Sequence, residues 1–326
     1  MKNATEPRMT LTEIRHALAD LQTSPTRSLG QNFLHDQNLA RAIVALLDIQ
    51  PSDHIVEIGP GLGALTEFLH GRCARLTLIE KDSRLVPHLE KKFAGPEVHI
   101  AHADALDFDL RELWGSGPVK VVGNLPYYIS TPLIEKYTSA LSPASILVLT
   151  LQLELAQRLG AAPETRDYGA MTLCASRRWD ISIARRLPAS VFHPQPKVDS
   201  AVITMRRKAR KHIRPLDDSV FDTLVRRGFS ERRKQLRNLL PEFKSDWEKI
   251  SAALGFPPTA RAEQLTPAQW ESLAFAAAPK AAQHGAERFD VVDENDRVVR
   301  PEYRDVIHVN NYLHRAVHML LFNARG

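Results

Sequence analysis

Only two of the 326 residues are cysteine, Cys73 and Cys174, too few for a disulfide framework or a four-thiolate zinc site. Such sparse usage fits a reducing, cytoplasmic setting. The N-terminus lacks the apolar core of a signal peptide, and the longest apolar stretches, such as residues 146–153, are too short to span a bilayer. The chain therefore reads as soluble, with no membrane partner. Its 13 histidines show no metal-ligand spacing, so no metal is expected. Neither sign of charge dominates: 43 Lys and Arg against 38 Asp and Glu leave a formal net charge of +5, an excess compatible with a polyanionic partner and no more than that. With 44% hydrophobic residues the chain is long enough for one large domain and a smaller one, each with its own core.

Leu11, Ile14, Leu18 and Leu21 keep helical spacing, and Pro25 breaks the pattern ahead of a polar-aromatic segment, residues 28–36. Residues 39–47 read as a further helix. Strand and helix signals then alternate over 55–58, 64–70, 76–79, 83–93, 98–101, 119–122, 132–140 and 146–151. That alternation predicts an α/β domain built on a parallel sheet covered on both faces. Residues 179–184 and 198–205 have strand character and suit the edge of a mixed sheet. The expected organisation is an N-terminal helical extension (1–27), a Rossmann-like domain (28–205) and a smaller all-helical domain (206–278). A linker (279–286) and a β-patterned segment (287–326) follow. Within the helical domain a basic run, 206–214, precedes helical patterns at 220–228, 231–240, 246–254 and 267–278.

Gly59, Gly61 and Gly63 follow a strand and open a helix, which lets backbone approach a ligand while a helix N-terminus faces it. Glu80 ends the next strand, where a carboxylate can accept ribose hydroxyls. This block alone does not choose between a dinucleotide and another adenosine-containing cofactor. Two further features bear on the choice. Asp104 follows the third strand and can accept from an adenine amine, with a helix cap as its plain alternative. Asn124, Leu125, Pro126 and Tyr127 close the fourth strand. An asparagine carbonyl and the backbone carbonyl preceding a proline can hold both hydrogens of an exocyclic nucleobase amine, favouring a more pyramidal nitrogen, while a tyrosine ring stacks on the base. Plain turn chemistry can also produce such a tetrad.

The chain resembles the small-subunit ribosomal RNA adenine dimethyltransferases (the KsgA/RsmA family) from about Ser28 to about Ala276. The likeness rests on residues 29–36 (LGQNFLHD), 57–63 (EIGPGLG), Glu80, Ala103 and Asp104, 123–128 (GNLPYY), 192–200 (FHPQPKVDS) and 229–238 (FSERRKQLRN). It implies S-adenosylmethionine held by Asn32, Leu34, Gly59, Gly61, Glu80, Asp104 and Asn124. It also implies a catalytic tetrad Asn124, Leu125, Pro126 and Tyr127, with Phe192 packing on the far face of the target base. Phe192 and Phe229 are equally readable as core aromatics. The implied reaction is N6,N6-dimethylation of two adjacent adenosines in the 3′-terminal hairpin loop of 16S ribosomal RNA, late in small-subunit assembly. A cytoplasmic monomer is expected. Arg232, Arg233, Lys234 and Arg237, read as about three turns of one helix, suit RNA phosphates, or else form a solvated face. Residues 162–163 and 166–168 match the family's loop beside the active site. Rival readings are a resistance-type large-subunit methyltransferase, a noncatalytic assembly factor and an NAD oxidoreductase.

The last 40 residues have no counterpart in that family. Residues 289–299 (FDVVDENDRVV) and 313–323 (LHRAVHMLLFN) resemble the opening strands of a Nudix hydrolase, without the catalytic box. Diphosphate hydrolysis is not expected of this polypeptide, and the tail is expected to be loosely ordered, as an incomplete sheet with open edges.

Overall fold

The computed structural model describes residues 9–209, 212–214, 216–278, 288–292, 295 and 297–303. The chain divides into two compact units at Arg210.

The first unit opens with α1 (Leu11–Asp20), β1 (Phe33–Leu34) and α2 (Gln37–Ala45). Thr10 and Glu13 start α1 with a reciprocal capping box, and the Asp36 carboxylate accepts the Leu39 amide to start α2. Then come β2 (His54–Ile58), α3 (Thr66–Leu69), β3 (Arg75–Glu80), α4 (Val86–Lys92), β4 (Val98–His102), β5 (Val119–Asn124), α5 (Ser130–Tyr137) and β6 (Ala144–Gln152). The unit closes with α6 (Leu153–Leu159), α7 (Ala170–Arg178), β7 (Trp179–Leu187), β8 (Phe192–His193) and β9 (Ser200–Arg207). Seven of these strands form one sheet in the order β4-β3-β2-β5-β6-β9-β7. The five from β4 to β6 are parallel, and β9 runs antiparallel between β6 and β7. The sheet is thus mixed at the side where the sequence placed its last two strands.

Alternate residues of the central strands feed two cores. Val56, Ile58, Val121, Leu147 and Leu149 pack with Leu133, Ile134 and Tyr137 of α5. Ile55, Leu76, Leu78, Val122 and Val148 pack with Ile43 and Val44 of α2 and Phe68 and Leu69 of α3. All five residues of β2 are buried, as both-faced coverage requires. Sequence periodicity missed α6 and α7. The polar α7 buries Arg177 and Arg178, so its apolar stripe is weak.

The second unit contains α8 (Asp218–Gly228), α9 (Leu236–Leu239), α10 (Trp247–Leu254), α11 (Pro267–Ala277), and a hairpin of β10 (Arg288–Val292) with β11 (Val298–Tyr303). Trp270 and Phe221 lie at its helical core, and Phe229 stacks on Trp270 with centroids 5.7 Å apart. The core reading of Phe229 is the one the packing supports. The single helix expected over 231–240 does not form. Leu236 donates its amide to the Ala260 carbonyl at 2.9 Å rather than to the carbonyl four residues earlier, so helix resumes only at Leu236. The two hairpin strands lie where the sequence placed them, in a two-stranded sheet of their own. The third expected strand, 314–322, falls outside the described residues.

Candidate active site at the carboxyl edge of the sheet

The cavity is built where β2 to β5 end. After Ile58 the chain turns through Gly59 and Gly61 at φ of +63° and +58°. A Cβ on Gly61 would sit 3.0 Å from the Phe33 ring, so close packing as well as backbone conformation selects glycine there. Glu80, at the end of β3, accepts the Gly61 amide at 3.0 Å on one oxygen and the Asp82 amide at 2.8 Å on the other. Burial is the largest influence on this carboxyl and raises its pKa against the pull of those amides. Each oxygen retains acceptor capacity.

Just beyond β4, Asp104 accepts the Leu106 amide at 2.9 Å and pairs with Lys81 at 2.6 Å. Its partial burial works upward on the pKa, but the lysine and the amide outweigh it, and the carboxyl lies below its usual range. Asp82 is also held low, at about 2, chiefly by the Arg84 guanidinium, and it accepts from Gln31 at 2.8 Å. The N-terminal motif is thereby pinned to the end of β3.

Asn124 closes β5. Its side-chain nitrogen donates to the Asn32 carbonyl at 2.7 Å, while the Asn32 side chain donates to the Gly30 carbonyl at 3.1 Å. Because the partner is a carbonyl, the amide nitrogen must face it, which turns the Asn124 oxygen away. That oxygen and the Leu125 main-chain carbonyl accept no hydrogen bond among the described residues. The edge therefore presents two open acceptors on consecutive residues.

These elements enclose about 890 Å³ of space open to solvent. All seven residues expected at the cofactor (Asn32, Leu34, Gly59, Gly61, Glu80, Asp104 and Asn124) line it, as does Pro126. Glu57 lines it too, although its place in the sequence suggested no role. This carboxyl is 1% exposed, accepts the Thr66 hydroxyl at 2.6 Å, and is pushed up to about 8 mainly by burial, with Glu80 adding to the rise. An acidic residue one place before the end of a fully buried strand that runs into the glycine turn was the available signal.

Other predicted residues lie elsewhere. The Leu125 side chain is buried in the core beside α5. Tyr127 is half-buried and outside the cavity wall, its hydroxyl 2.7 Å from that of Ser200, while the exposed Tyr128 lines the wall. Phe192 departs from the expected face-to-base placement. It is 4% exposed and belongs to the core beneath α2 and α3, because β8 pairs with β1 and sets Phe192 opposite Leu34. In the loop between α6 and α7, Tyr168 is wholly buried, which anchors that loop. In the second unit Arg232, Arg233, Lys234 and Arg237 are all exposed, but the first three occupy turns and only Arg237 lies on α9. Lys234 pairs with Glu231 at 2.8 Å. The described residues contain no group of three or more His, Cys, Asp or Glu placed to hold a metal ion, and no helix long and apolar enough to cross a membrane.

A mixed sheet with five parallel strands, a glycine turn after one of them, carboxylates at the ends of the next two and an Asn-Leu-Pro-Tyr turn after the fourth defines a Rossmann-like methyltransferase. The family model described as ribosomal RNA adenine dimethylase matches residues 23–277. A ribosomal RNA small subunit methyltransferase A of Geobacillus kaustophilus is 41% identical over 266 residues, 78% of this chain and 91% of the relative. One of the same name from Geobacter metallireducens is 40% identical over 259 residues, 77% and 94% of the two chains. Among solved structures, a dimethyladenosine transferase from Plasmodium falciparum matches with a TM-score of 0.64 at 22% identity, over 75% of this chain and 98% of that one. The 23S rRNA methyltransferase ErmE matches with a TM-score of 0.61 at 26% identity, over 74% and 98%. The chain belongs to the ribosomal RNA adenine dimethylase family, and its reaction is adenine dimethylation in ribosomal RNA. That membership overturns the oxidoreductase and noncatalytic readings. Residues beyond 277 lie outside the match.

Proposed function

We propose that the protein uses S-adenosylmethionine to dimethylate the N6 amines of two adjacent adenosines in the 3′-terminal hairpin loop of 16S ribosomal RNA. It acts as a cytoplasmic monomer on the assembling small subunit. The observation that carries this reading is the pair of open acceptors at Asn124 and Leu125, held beside a cavity walled by Glu80 and Asp104. The 38–41% identity to relatives named for the small subunit favours that subunit over the large one.

The residues present fit the cofactor. Glu80 has spare lone pairs for two ribose hydroxyls and Asp104 for an adenine amine, while Gly59 and Gly61 bring backbone close without side chains in the way. When bound, the cofactor supplies an electrophilic methyl group. In the first transfer Asn124 and the Leu125 carbonyl accept the two N6 hydrogens and draw the lone pair out of conjugation with the ring; in the second, one of them accepts the hydrogen that remains. Asn32 holds the Asn124 amide in the required orientation before any base arrives. Tyr127, fixed by Ser200, offers a ring for the extruded base to stack on. Phe192, from within the core, supports the β1 strand that carries Phe33 and Leu34. The exposed cations of the second unit contact RNA phosphates.

The test is transfer of labelled methyl to undermethylated small subunits, to large subunits and to naked RNA, with Asn124→Ala alongside. Two dimethylated adenosines in the small subunit's 3′ hairpin, absent with the variant, are expected. Label confined to the large subunit overturns the assignment.

A further inference from the structure

The edge strand β7 carries an arginine pair that nothing in the cavity accounts for. Among the described strands β7 pairs only with β9, and since both β6 and β7 run antiparallel to β9, the C-terminal end of β7 lies on the same edge of the sheet as Asn124. One register row links the two places: Asn124 is opposite Thr150, Thr150 opposite Val202, and Val202 opposite Arg185. Three strand spacings put Arg185 roughly 14 Å from Asn124 along that row. Arg186 is opposite Ala201, the neighbour of Ser200, whose hydroxyl holds Tyr127.

Arg185 and Arg186 are both exposed, and neither side chain makes a hydrogen bond or ion pair with any described residue. The strand bulges immediately before them: Ile183 is opposite Ile203 and Arg185 opposite Val202, leaving Ala184 as the extra residue. A bulge at this position bends the strand and re-aims the side chains that follow it. It also breaks the regular edge, and with two adjacent positive charges it disfavours addition of a further peptide strand. Lys197, exposed in the loop before β9, adds a third cation. The nearest acidic groups in sequence are engaged or distant, since Asp199 caps the Ala189 amide at 3.1 Å and Asp180 sits at the opposite end of β7, beside Lys208.

We propose that Arg185 and Arg186 clamp the backbone phosphates of the single-stranded RNA that flanks the target adenosine. This rests on the proposed function, in which Asn124 and Tyr127 receive the base. A flipped base requires its neighbouring phosphates to be held, and planar guanidinium groups suit phosphate oxygens.

Arg185→Gln/Arg186→Gln is the variant to measure, with Arg185→Lys/Arg186→Lys as its charge-preserving control. Anisotropy titration with a labelled hairpin RNA carrying two adjacent adenosines should show affinity lower by about tenfold at moderate salt, and a salt slope shallower by about 1.4, for two phosphates at ~0.7 each. The lysine pair should bind within about threefold of wild type. In methyl transfer to undermethylated small subunits, KM should rise with kcat within about twofold. Unchanged affinity and slope in the glutamine variant overturn the clamp, and an equal loss in the lysine variant overturns the phosphate assignment. A wild-type protein that binds RNA through these arginines but labels no small subunit would sink the proposed function and leave the clamp standing.

Discussion

The sheet edge in the first unit and the cationic segment in the second both concentrate charge, and they organise it in opposite ways. At the edge, carboxylates are buried or partly buried and each is tied to oriented donors: Glu57 to Thr66, Glu80 to the Gly61 and Asp82 amides, Asp104 to Lys81 and the Leu106 amide. Every one of them is displaced from its ordinary pKa. In the second unit Arg232, Arg233, Lys234 and Arg237 stand exposed on turns and one short helix. A small polar ligand is recognised by donors and acceptors whose orientation is settled in advance, because reorganisation at the moment of binding costs affinity and rate. A folded polyanion is recognised by the sum of many weakly constrained charges, each screened by salt.

The largest effect should come from breaking the edge at its narrowest point. Asn124→Ala removes an open acceptor and the tie to Asn32, and methyl transfer should fall by about three orders of magnitude or more, as losses of preorganised polar groups do. Thermal unfolding should shift little, because this side chain is only partly buried. Residual transfer within tenfold of wild type would refute the assignment of Asn124. Next in size is Glu80→Gln, which weakens an acceptor whose two oxygens already organise the glycine turn. Calorimetry should record cofactor affinity lower by roughly ten- to a hundredfold, the range of one or two charge-assisted hydrogen bonds.

The second unit should respond in a different variable. Neutralising Arg232, Arg233, Lys234 and Arg237 together should lower RNA affinity by about tenfold at moderate salt and flatten its salt dependence by up to ~0.7 for each phosphate deprived of its cation. Cofactor affinity should stay at the wild-type value. A quadruple variant with an unaltered salt slope would place the RNA on other cations, and one with impaired cofactor binding would erase the contrast between the two regions.

The smallest effect concerns Glu57 and is visible only against pH. Its carboxyl is raised from 4.5 to about 8, so the folded state binds a proton that the unfolded state has released over that interval. Stability from this group is complete below the unfolded value and is lost as pH rises through the folded one. The melting temperature of wild type should therefore decline more between pH 5 and about 8 than that of Glu57→Gln. Parallel pH profiles for the two proteins would show that Glu57 is ionised in the fold.

Much of the edge is legible in the chain's own spacing. Gly59, Gly61, Glu80, Asp104 and Asn124 stand at the ends of strands whose apolar runs announce them, and ligands of open α/β sheets gather at those ends. Legibility stops where partners are distant in sequence. The pairing of β1 with β8 joins Leu34 to Phe192 through strands of two residues each, too short to carry a period. It buries a phenylalanine that the motif offered to the substrate. The helix expected over 231–240 failed for a similar reason, since the Ala260 carbonyl that takes the Leu236 amide lies 24 residues away. The pull on Glu57 was unreadable because burial, which raises its pKa, is a property of the packed sheet rather than of the residues beside it.

By itself, then, the order of residues determined the strand-helix alternation, the glycine turn, the acidic strand ends and the tetrad, all of which depend on spacing within a few residues. Tertiary structure alone decided which acceptors remain open, which aromatic is core, and where the cations stand. The lock of Asn32 on Asn124 spans 92 residues, and the row from Asn124 to Arg185 crosses three strand interfaces. Contacts of that kind exist only once the sheet has closed, because local periodicity specifies which face a side chain takes and carries no information about the strand it will meet.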